Sequence, residues 1–213
     1  MPGKHMRILG AKPVIQHTID AVLASKYGAC YGLSSDDNEI LDCAAASGIL
    51  AIQRPPELAL DTTPTLPALV HAVELCEWMH DTRFEYIAEI RATSPFKTTQ
   101  DIEAAIDLLI KSGADSVIGV TKLDDHHPAR IKWLDDHGYI HDFMPEPESG
   151  RRQDCWPRAY IRNGTIYALR RDSLGKLFGH DKSIGYVMPP ERSINIDTEM
   201  DWRLCQLLIG QQK

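Results

Sequence analysis

The chain has no Cys-x-x-Cys pair, no His-x-x-x-His pair on a helix and no apolar run approaching membrane-spanning length. Each absence removes a class of protein. Cys30, Cys43, Cys76, Cys155 and Cys205 are odd in number and far apart, which points to reduced thiols rather than a disulfide framework or a zinc site. His126-His127 are adjacent, and His137 and His141 straddle a turn, so a surface or hairpin role is expected for them. With no spanning segment and no charged-then-apolar leader, the cytoplasm is the expected compartment. Positive charge is also scarce. Lys and Arg number 23 against 30 Asp and Glu, a formal charge of −7. That balance argues against a protein whose main work is gripping nucleic acid or an anionic membrane. A small anionic substrate needs only a few local Arg and Lys.

A hydrophobic content of 43% over 213 residues suffices for a sizeable core. No internal repeat, low-complexity tract or long linker interrupts the chain, so residues 1–213 are expected to form one domain. Pro13 followed by Val14, Ile15, Thr18, Ile19, Val22 and Leu23 has helical spacing. A strand over Ala29 to Leu33 follows, then Ser34-Ser35-Asp36-Asp37 as loop and cap of a helix reaching about Ala46. Ile49 to Gln53 reads as a strand, Leu66 to Val73 as a helix, and Tyr86 to Ile90 as a strand. Ile102 to Leu109 reads as a helix, and Ser116 to Val120 as a strand. This alternation predicts an α/β protein with a doubly wound, mostly parallel, Rossmann-like sheet and its ligand at the strands' carboxyl ends. Residues 122–160 break the pattern and contain a hairpin, Ile131 to Leu134 and Tyr139 to Phe143 around Asp135-Asp136-His137-Gly138. Strands Thr165 to Leu169 and Ile184 to Met188, a helix Leu174 to Phe178 and a last helix from about Glu199 complete the reading.

Four loops lie where strands end. In the first, spacing alone favours Thr63 or Thr65 as the cap of the following helix, over a reading in which Arg54 and the nearby hydroxyls meet a nucleotide. The second, Arg91-Ala92-Thr93-Ser94-Pro95-Phe96, is by itself a common helix entry. The third joins Arg151-Arg152-Gln153-Asp154 to Tyr160 and an Asn163-Gly164 turn, so its arginines either converge on an anion or lie in solvent. In the fourth, Asn195 and Asp197 alternate along an extended segment and face one side, presenting oxygen ligands suited to magnesium. Asp197 is alternatively the N-cap of the last helix.

In order and spacing these segments resemble the acylneuraminate cytidylyltransferase family, the enzymes that make CMP-sialic acids. The resemblance is carried by Pro2-Gly3-Lys4, Leu9-Gly10-Ala11-Lys12-Pro13, Ser34-Ser35-Asp36-Asp37, Arg54-Pro55, Leu58-Ala59-Leu60-Asp61, Thr93-Ser94-Pro95, Asp115-Ser116-Val117, His127-Pro128, Arg152-Gln153-Asp154, Asn163-Gly164 and Ile196-Asp197-Thr198. It implies transfer of CMP from CTP to the anomeric hydroxyl of a sialic-acid-like 2-keto sugar acid, with release of pyrophosphate. It also implies Mg2+ and a homodimer formed through an arm at 122–160. Asp197 and Arg54 become the implied catalytic residues, with Asn195 assisting Asp197 at the metal. Lys4, Arg54 and Thr65 approach the nucleotide, and Arg91, Thr93, Ser94, Arg152, Gln153, Tyr160 and Asn163 the sugar. The family begins with a strand and an Ala-Arg-x-Gly-Ser-Lys-Gly loop, and this sequence is expected to start after that loop. It commonly has Asp where Asn195 stands, so the metal site here has one negative charge fewer, and often Gln where Arg91 stands, which leaves open a sugar other than ordinary N-acetylneuraminic acid. The rival readings are cytidylyl transfer to another keto-sugar acid and a non-catalytic nucleotide or sugar binder that lost its phosphate loop.

Overall fold

The computed structural model describes residues 1–60, 62–123, 125–175 and 181–211. A short antiparallel pair, β1 (Ile8–Leu9) and β2 (Lys12–Pro13), turns at Gly10, whose φ of +67° suits a residue without a Cβ. Helix α1 (Val14–Leu23) buries Val14, Ile15, Thr18 and Ile19, one face at helical spacing. Ile15 and Ile19 pack on Ile40 and Ala44 of α2 (Asn38–Ala46), which is capped by the Asp37 carboxylate accepting from Glu39 N at 2.9 Å.

Strand β3 is Gly32–Ser35, displaced from the expected Ala29 to Leu33. Ser34 and Ser35 have loop-like propensity, yet their backbone pairs in parallel with Ile52 and Gln53 of β4 (Leu50–Gln53), and the ladder overrides propensity. Helix α3 (Thr65–Met79) starts after Pro64 with no side-chain cap. Thr63 Oγ1 donates instead to Glu57 O at 3.0 Å, so neither Thr63 nor Thr65 is the cap.

The remaining elements are β5 (Tyr86–Ile90), α4 (Thr99–Ser112), β6 (Ser116–Lys122), β7 (Lys132–Leu134), β8 (Ile140–Asp142), β9 (Tyr160–Arg170), β10 (Ser183–Val187) and α5 (Glu199–Gln211). Four strands form one sheet in the order β10-β6-β9-β5. β10 and β6 are parallel, whereas β9 is antiparallel to both β6 and β5. The α/β class holds, but the sheet is mixed for a local reason. No crossover helix separates β6 from β9, so the chain returns antiparallel to the strand it left. The core is two-sided. Ile166 and Ala168 of β9 meet Ile102, Ala105, Ile106 and Leu109 of α4, while Tyr167 and Leu169 meet Val73 of α3 with Ile87 and Leu174.

The β3–β4 pair is not hydrogen-bonded to this sheet. Between them lies an apolar cavity of ≈ 430 Å³ lined by Gly32, Ile52, Val73, Cys76, Ala88 and Ile106 among others. Asn163-Gly164 is not a turn but an irregularity within β9, opposite the register shift between Ile118 and Val120. Gly164 supplies a φ of +67°, a demand that a bulge shares with a turn. Residues 123–159 leave and return at the paired Lys122 and Tyr160, and carry the antiparallel β7–β8 hairpin. His127, expected at the surface or in the hairpin, is buried at the root of this excursion with Nε2 2.7 Å from Pro157 O. Of the expected helix Leu174 to Phe178, residues 176–178 lie outside the described residues, as does Asp61. Among the described residues no helix is long and apolar enough to cross a membrane.

Candidate functional site

The carboxyl ends of β3, β4 and β5 are joined by two segments far apart in sequence, residues 4–5 and 193–197. Lys4 Nζ donates to Ile196 O at 2.7 Å and lies 2.7 Å from Asp197 Oδ1. Ile196 N in turn donates to Thr93 O at 2.9 Å, placing the Asp197 segment beside the loop after β5. The charges of Lys4, Asp37 and Arg54 all act on His5. Burial, reinforced by Lys4, lowers the His5 pKa and favours the neutral imidazole.

Arg54 follows β4 and reaches back to β3, with Nη2 2.7 Å from Ser34 O and Nε 3.2 Å from Ser34 Oγ. It lines an open depression of ≈ 620 Å³ with Asp36, Pro55, Pro56 and Leu60. Thr65 is exposed at the first turn of α3. The more enclosed cavity beside β5 is mainly apolar, with Glu85 as its charged lining residue and no cationic one, so the depression at Arg54 is the better site for an anionic substrate.

Asp197 is not the cap of α5. Thr198 takes that role, accepting from Asp201 N at 3.2 Å while Asp201 Oδ2 accepts from Thr198 N at 2.8 Å. The Asp197 side chain is thereby left 62% exposed, held by Lys4 and by the Asn195 amide, which donates to Oδ2. Asn195 Oδ1 is buried without a partner. Among the described residues no three His, Cys, Asp or Glu side chains surround one point. One carboxylate and one amide oxygen do not form an all-protein cage. They fit magnesium that completes its shell with water and substrate phosphate oxygens.

The loop after β5 is built rigidly. Lys97 is fully buried and donates from Nζ to Ser94 O at 2.6 Å and to Thr18 Oγ1 at 2.7 Å, tying the loop to α1; its pKa is driven by burial to about 7. Ser94 Oγ is buried and unpartnered, and Thr93 is half-buried. Asp101 locks the start of α4 in a capping box with Thr98 and accepts both Arg192 nitrogens, Nε at 2.9 Å and Nη2 at 3.0 Å. That pair anchors the turn leading into 193–197. Arg91 turns toward Glu89 and the Tyr167 ring.

The other expected sugar residues are arranged differently. Asn163 is buried, its Nδ2 3.0 Å from Ser193 Oγ and its Oδ1 accepting from Thr165 N at 3.1 Å, so both amide ends brace the strand. Tyr160 is exposed at the start of β9. Arg152 pairs with Asp125, and Gln153 is exposed beside it on a 3-10 turn. The structure thus gathers Lys4, Thr93, Asn195 and Asp197 through contacts, holds Arg54 against Ser34 at the end of β4, and sets Arg152 and Gln153 on the arm. His5, Glu89, Lys97 and Asp101 escaped the sequence reading. Glu89 alone left a signal, as the one charged residue within a strand of buried type.

Comparison with known proteins gives the chain relatives of one kind. The chain is 28% identical to an N-acylneuraminate cytidylyltransferase of Streptococcus agalactiae over 206 residues, 95% of this chain and 48% of that protein. It is 30% identical to N-acylneuraminate cytidylyltransferase A of Danio rerio, covering 97% of this chain and 47% of that protein. The chain therefore spans about half the length of these curated relatives. It is 28% identical to the CMP-N,N'-diacetyllegionaminic acid synthase of Legionella pneumophila, covering 98% of this chain and 90% of that protein. Among solved structures, a CMP:2-keto-3-deoxy-manno-octonic acid synthetase complexed with CTP superposes with a TM-score of 0.69 at 18% identity, covering 100% of this chain and 94% of the other. The fold is shared as well with a 4-diphosphocytidyl-2C-methyl-D-erythritol synthase of Anaerococcus prevotii, with a TM-score of 0.63 at 17% identity and coverage of 99% and 94%. The family model described as Cytidylyltransferase matches residues 1–192, a span that runs from Lys4 through Arg54 and Arg91 to Arg192. By that match the chain belongs to the cytidylyltransferase family.

Proposed function

We propose that this chain carries the transferase site of an enzyme that moves CMP from CTP to the anomeric hydroxyl of a nonulosonic, sialic-acid-like 2-keto sugar acid. The observation that carries the reading is the Lys4–Asp197 pair beside the loop after β5, with Arg54 held at the end of β4, in a chain of this family. In the reaction the acceptor oxygen forms a bond to the α-phosphorus of CTP, the α–β phosphoanhydride bond breaks, pyrophosphate leaves, and the hydroxyl proton passes to solvent. Such a substitution requires alignment and positive charge on the phosphate oxygens more than a strong base.

Arg54 offers its remaining guanidinium hydrogens to the nucleotide from a position fixed by Ser34, and Thr65 borders that path at the start of α3. Lys4 neutralises charge where the phosphates meet Asp197. Asp197 and Asn195 would hold magnesium, which when bound supplies charge neutralisation and a template for the triphosphate. Thr93, Ser94 and Arg91 sit on the acceptor side, and Arg152, Gln153 and Tyr160 extend it from the arm at 122–160. The protein works as a homodimer through that arm. The names of the relatives, acylneuraminate and diacetyllegionaminate enzymes, support this acceptor class. The test is pyrophosphate release from CTP with a panel of 2-keto sugar acids. Dependence on such an acid is expected, and equal turnover of UTP or ATP with aldose phosphates would overturn the assignment.

A further inference from the structure

Strand β5 carries one charged residue among apolar and aromatic ones. Glu89 lies directly across from Tyr167 of β9, and its side chain is only 14% exposed. Two residues on, and therefore on the same face, Arg91 donates from Nε to Glu89 Oε1 at 3.1 Å. The Arg91 guanidinium carbon stands 5.2 Å from the centroid of the Tyr167 ring, and Arg91 N is bonded to Thr165 O at 3.1 Å. Backbone, ring and carboxylate together fix the guanidinium. Glu89 Oε2 is buried and unpartnered, so Arg91 is the main compensation for a carboxylate held out of water.

The atom that Glu89 takes matters. A guanidinium has two edges that can present paired donors, one including Nε and one formed by the two terminal nitrogens. With Nε engaged by Glu89, neither Nη atom has a hydrogen-bond partner among the described residues, and the Arg91 side chain keeps 34% exposure. The terminal edge is the one left to a ligand, and its two parallel N–H groups match the two oxygens of a carboxylate.

We propose that Glu89 is a positioning residue that holds Arg91 by Nε and so turns its terminal Nη1–Nη2 edge toward the carboxylate of the sugar-acid acceptor. The proposal rests on the acceptor class given above, and goes beyond it by naming the group recognised and the residue that aims the recognition. A purely structural Glu89 would affect folding alone. A positioning Glu89 affects acceptor binding and leaves the nucleotide untouched.

The experiment compares wild type with Glu89→Gln and Glu89→Leu. Gln keeps an oxygen for Nε, and Leu keeps the volume without it. Glu89→Leu is expected to raise the acceptor KM by about tenfold or more while leaving the CTP KM within about twofold, and Glu89→Gln to recover most of the loss. An unchanged acceptor KM in Glu89→Leu would overturn the proposal, as would equal losses for both substrates. A second measurement does not depend on turnover. In wild type the Nε–H resonance of Arg91, assigned with an Arg91→Lys variant, should exchange slowly with solvent, and in Glu89→Leu it should exchange fast. Unchanged exchange would also overturn the inference. Slow exchange in a protein that turns over no sugar acid would instead remove the functional reading and leave the positioning intact.

Discussion

Lys4 Nζ lies 2.7 Å from Asp197 Oδ1, an ion pair that joins residues 193 positions apart. One partner is nearly covered and the other is 62% exposed, so the pair adds little to stability and its value lies in placement. Asp197 is also released from helix capping by Thr198. Asp197→Asn should therefore leave the melting temperature almost unchanged while lowering turnover by roughly 100-fold, because it removes the carboxylate proposed to hold the metal. Steady-state rates across a magnesium titration check this. Near-normal rates at low magnesium would show that Asp197 serves only as the partner of Lys4.

A second prediction concerns Asp101, which is 1% exposed and receives Arg192, Tyr186 Oη at 3.0 Å and Thr98. Burial alone would raise this carboxyl, but the Arg192 and Thr98 hydrogen bonds outweigh it and hold it below the usual carboxylate range. Breaking a fully buried pair costs about 3–5 kcal/mol, and since Arg192 keeps 37% exposure the loss here should be about 2–3 kcal/mol. Urea unfolding of Asp101→Ala measures it. A depressed acid stabilises above its unfolded pKa, and that contribution disappears as pH falls through the folded value. The gap between wild type and Asp101→Ala should thus be full at neutral pH and narrow below about pH 4.

The reach of sequence reasoning divides along the same lines as these contacts. Strand Tyr86 to Ile90 was legible to the residue, since its apolar content and flanking turn chemistry agree with its burial. Helix α4 was equally plain from Ile102, Ala105, Ile106 and Leu109. What stayed hidden depends on partners distant in sequence. Ser34 and Ser35 become strand because β4 pairs with them, and β9 runs antiparallel because an arm, not a helix, precedes it. The cavity separating β3 from β5 has no local signature at all. In the site, Arg54 and Asp197 were visible by residue type. Lys97 and His5 were not, because a lysine's burial and a histidine's neighbours are tertiary facts.

Lys97 gives a pH slope of the same sign as Asp101 from the opposite cause, a buried charge whose cost is relieved rather than a paired charge whose contribution is gained. Its pKa falls by burial to about 7 in the folded protein from 10.5. Between those values the unfolded chain binds the extra proton, so stability attributable to Lys97 should rise with pH, by up to about 1.4 kcal/mol per unit. Below about pH 7 the buried cation costs its full amount, and above about pH 10.5 the cost is gone. Lys97→Met should remove this slope while loosening the loop at Ser94. Denaturant midpoints for both proteins from pH 6.5 to 9.5 provide the test, and parallel curves would show that Lys97 is charged throughout.

The last prediction concerns the arm. In the β7–β8 hairpin Leu134 pairs with Ile140 on one face and Trp133 with His141 on the other. The second face is closed on itself by ring stacking at 4.3 Å and by the His141–Asp135 contact. On the first, Leu134 and Ile140 are at least 65% exposed, and Tyr139 and Phe143, which flank β8, are at least 64% exposed as well. A two-stranded hairpin is marginal alone, and a contiguous apolar face on it requires cover. Charges at Lys132, Asp142 and Glu146 are already paired with one another and leave the apolar side as the available contact. If a second copy supplies that cover, as the proposed homodimer requires, Leu134→Lys with Ile140→Lys should shift sedimentation from dimer to monomer. The same double variant should leave the melting of the main sheet nearly intact, because these residues touch none of its core clusters. Acceptor KM should rise as well if Arg152 and Gln153 work across the interface, and CTP KM should not. A wild-type protein that sediments as a monomer at assay concentrations, with normal turnover, would remove both the dimer and the arm's part in the site.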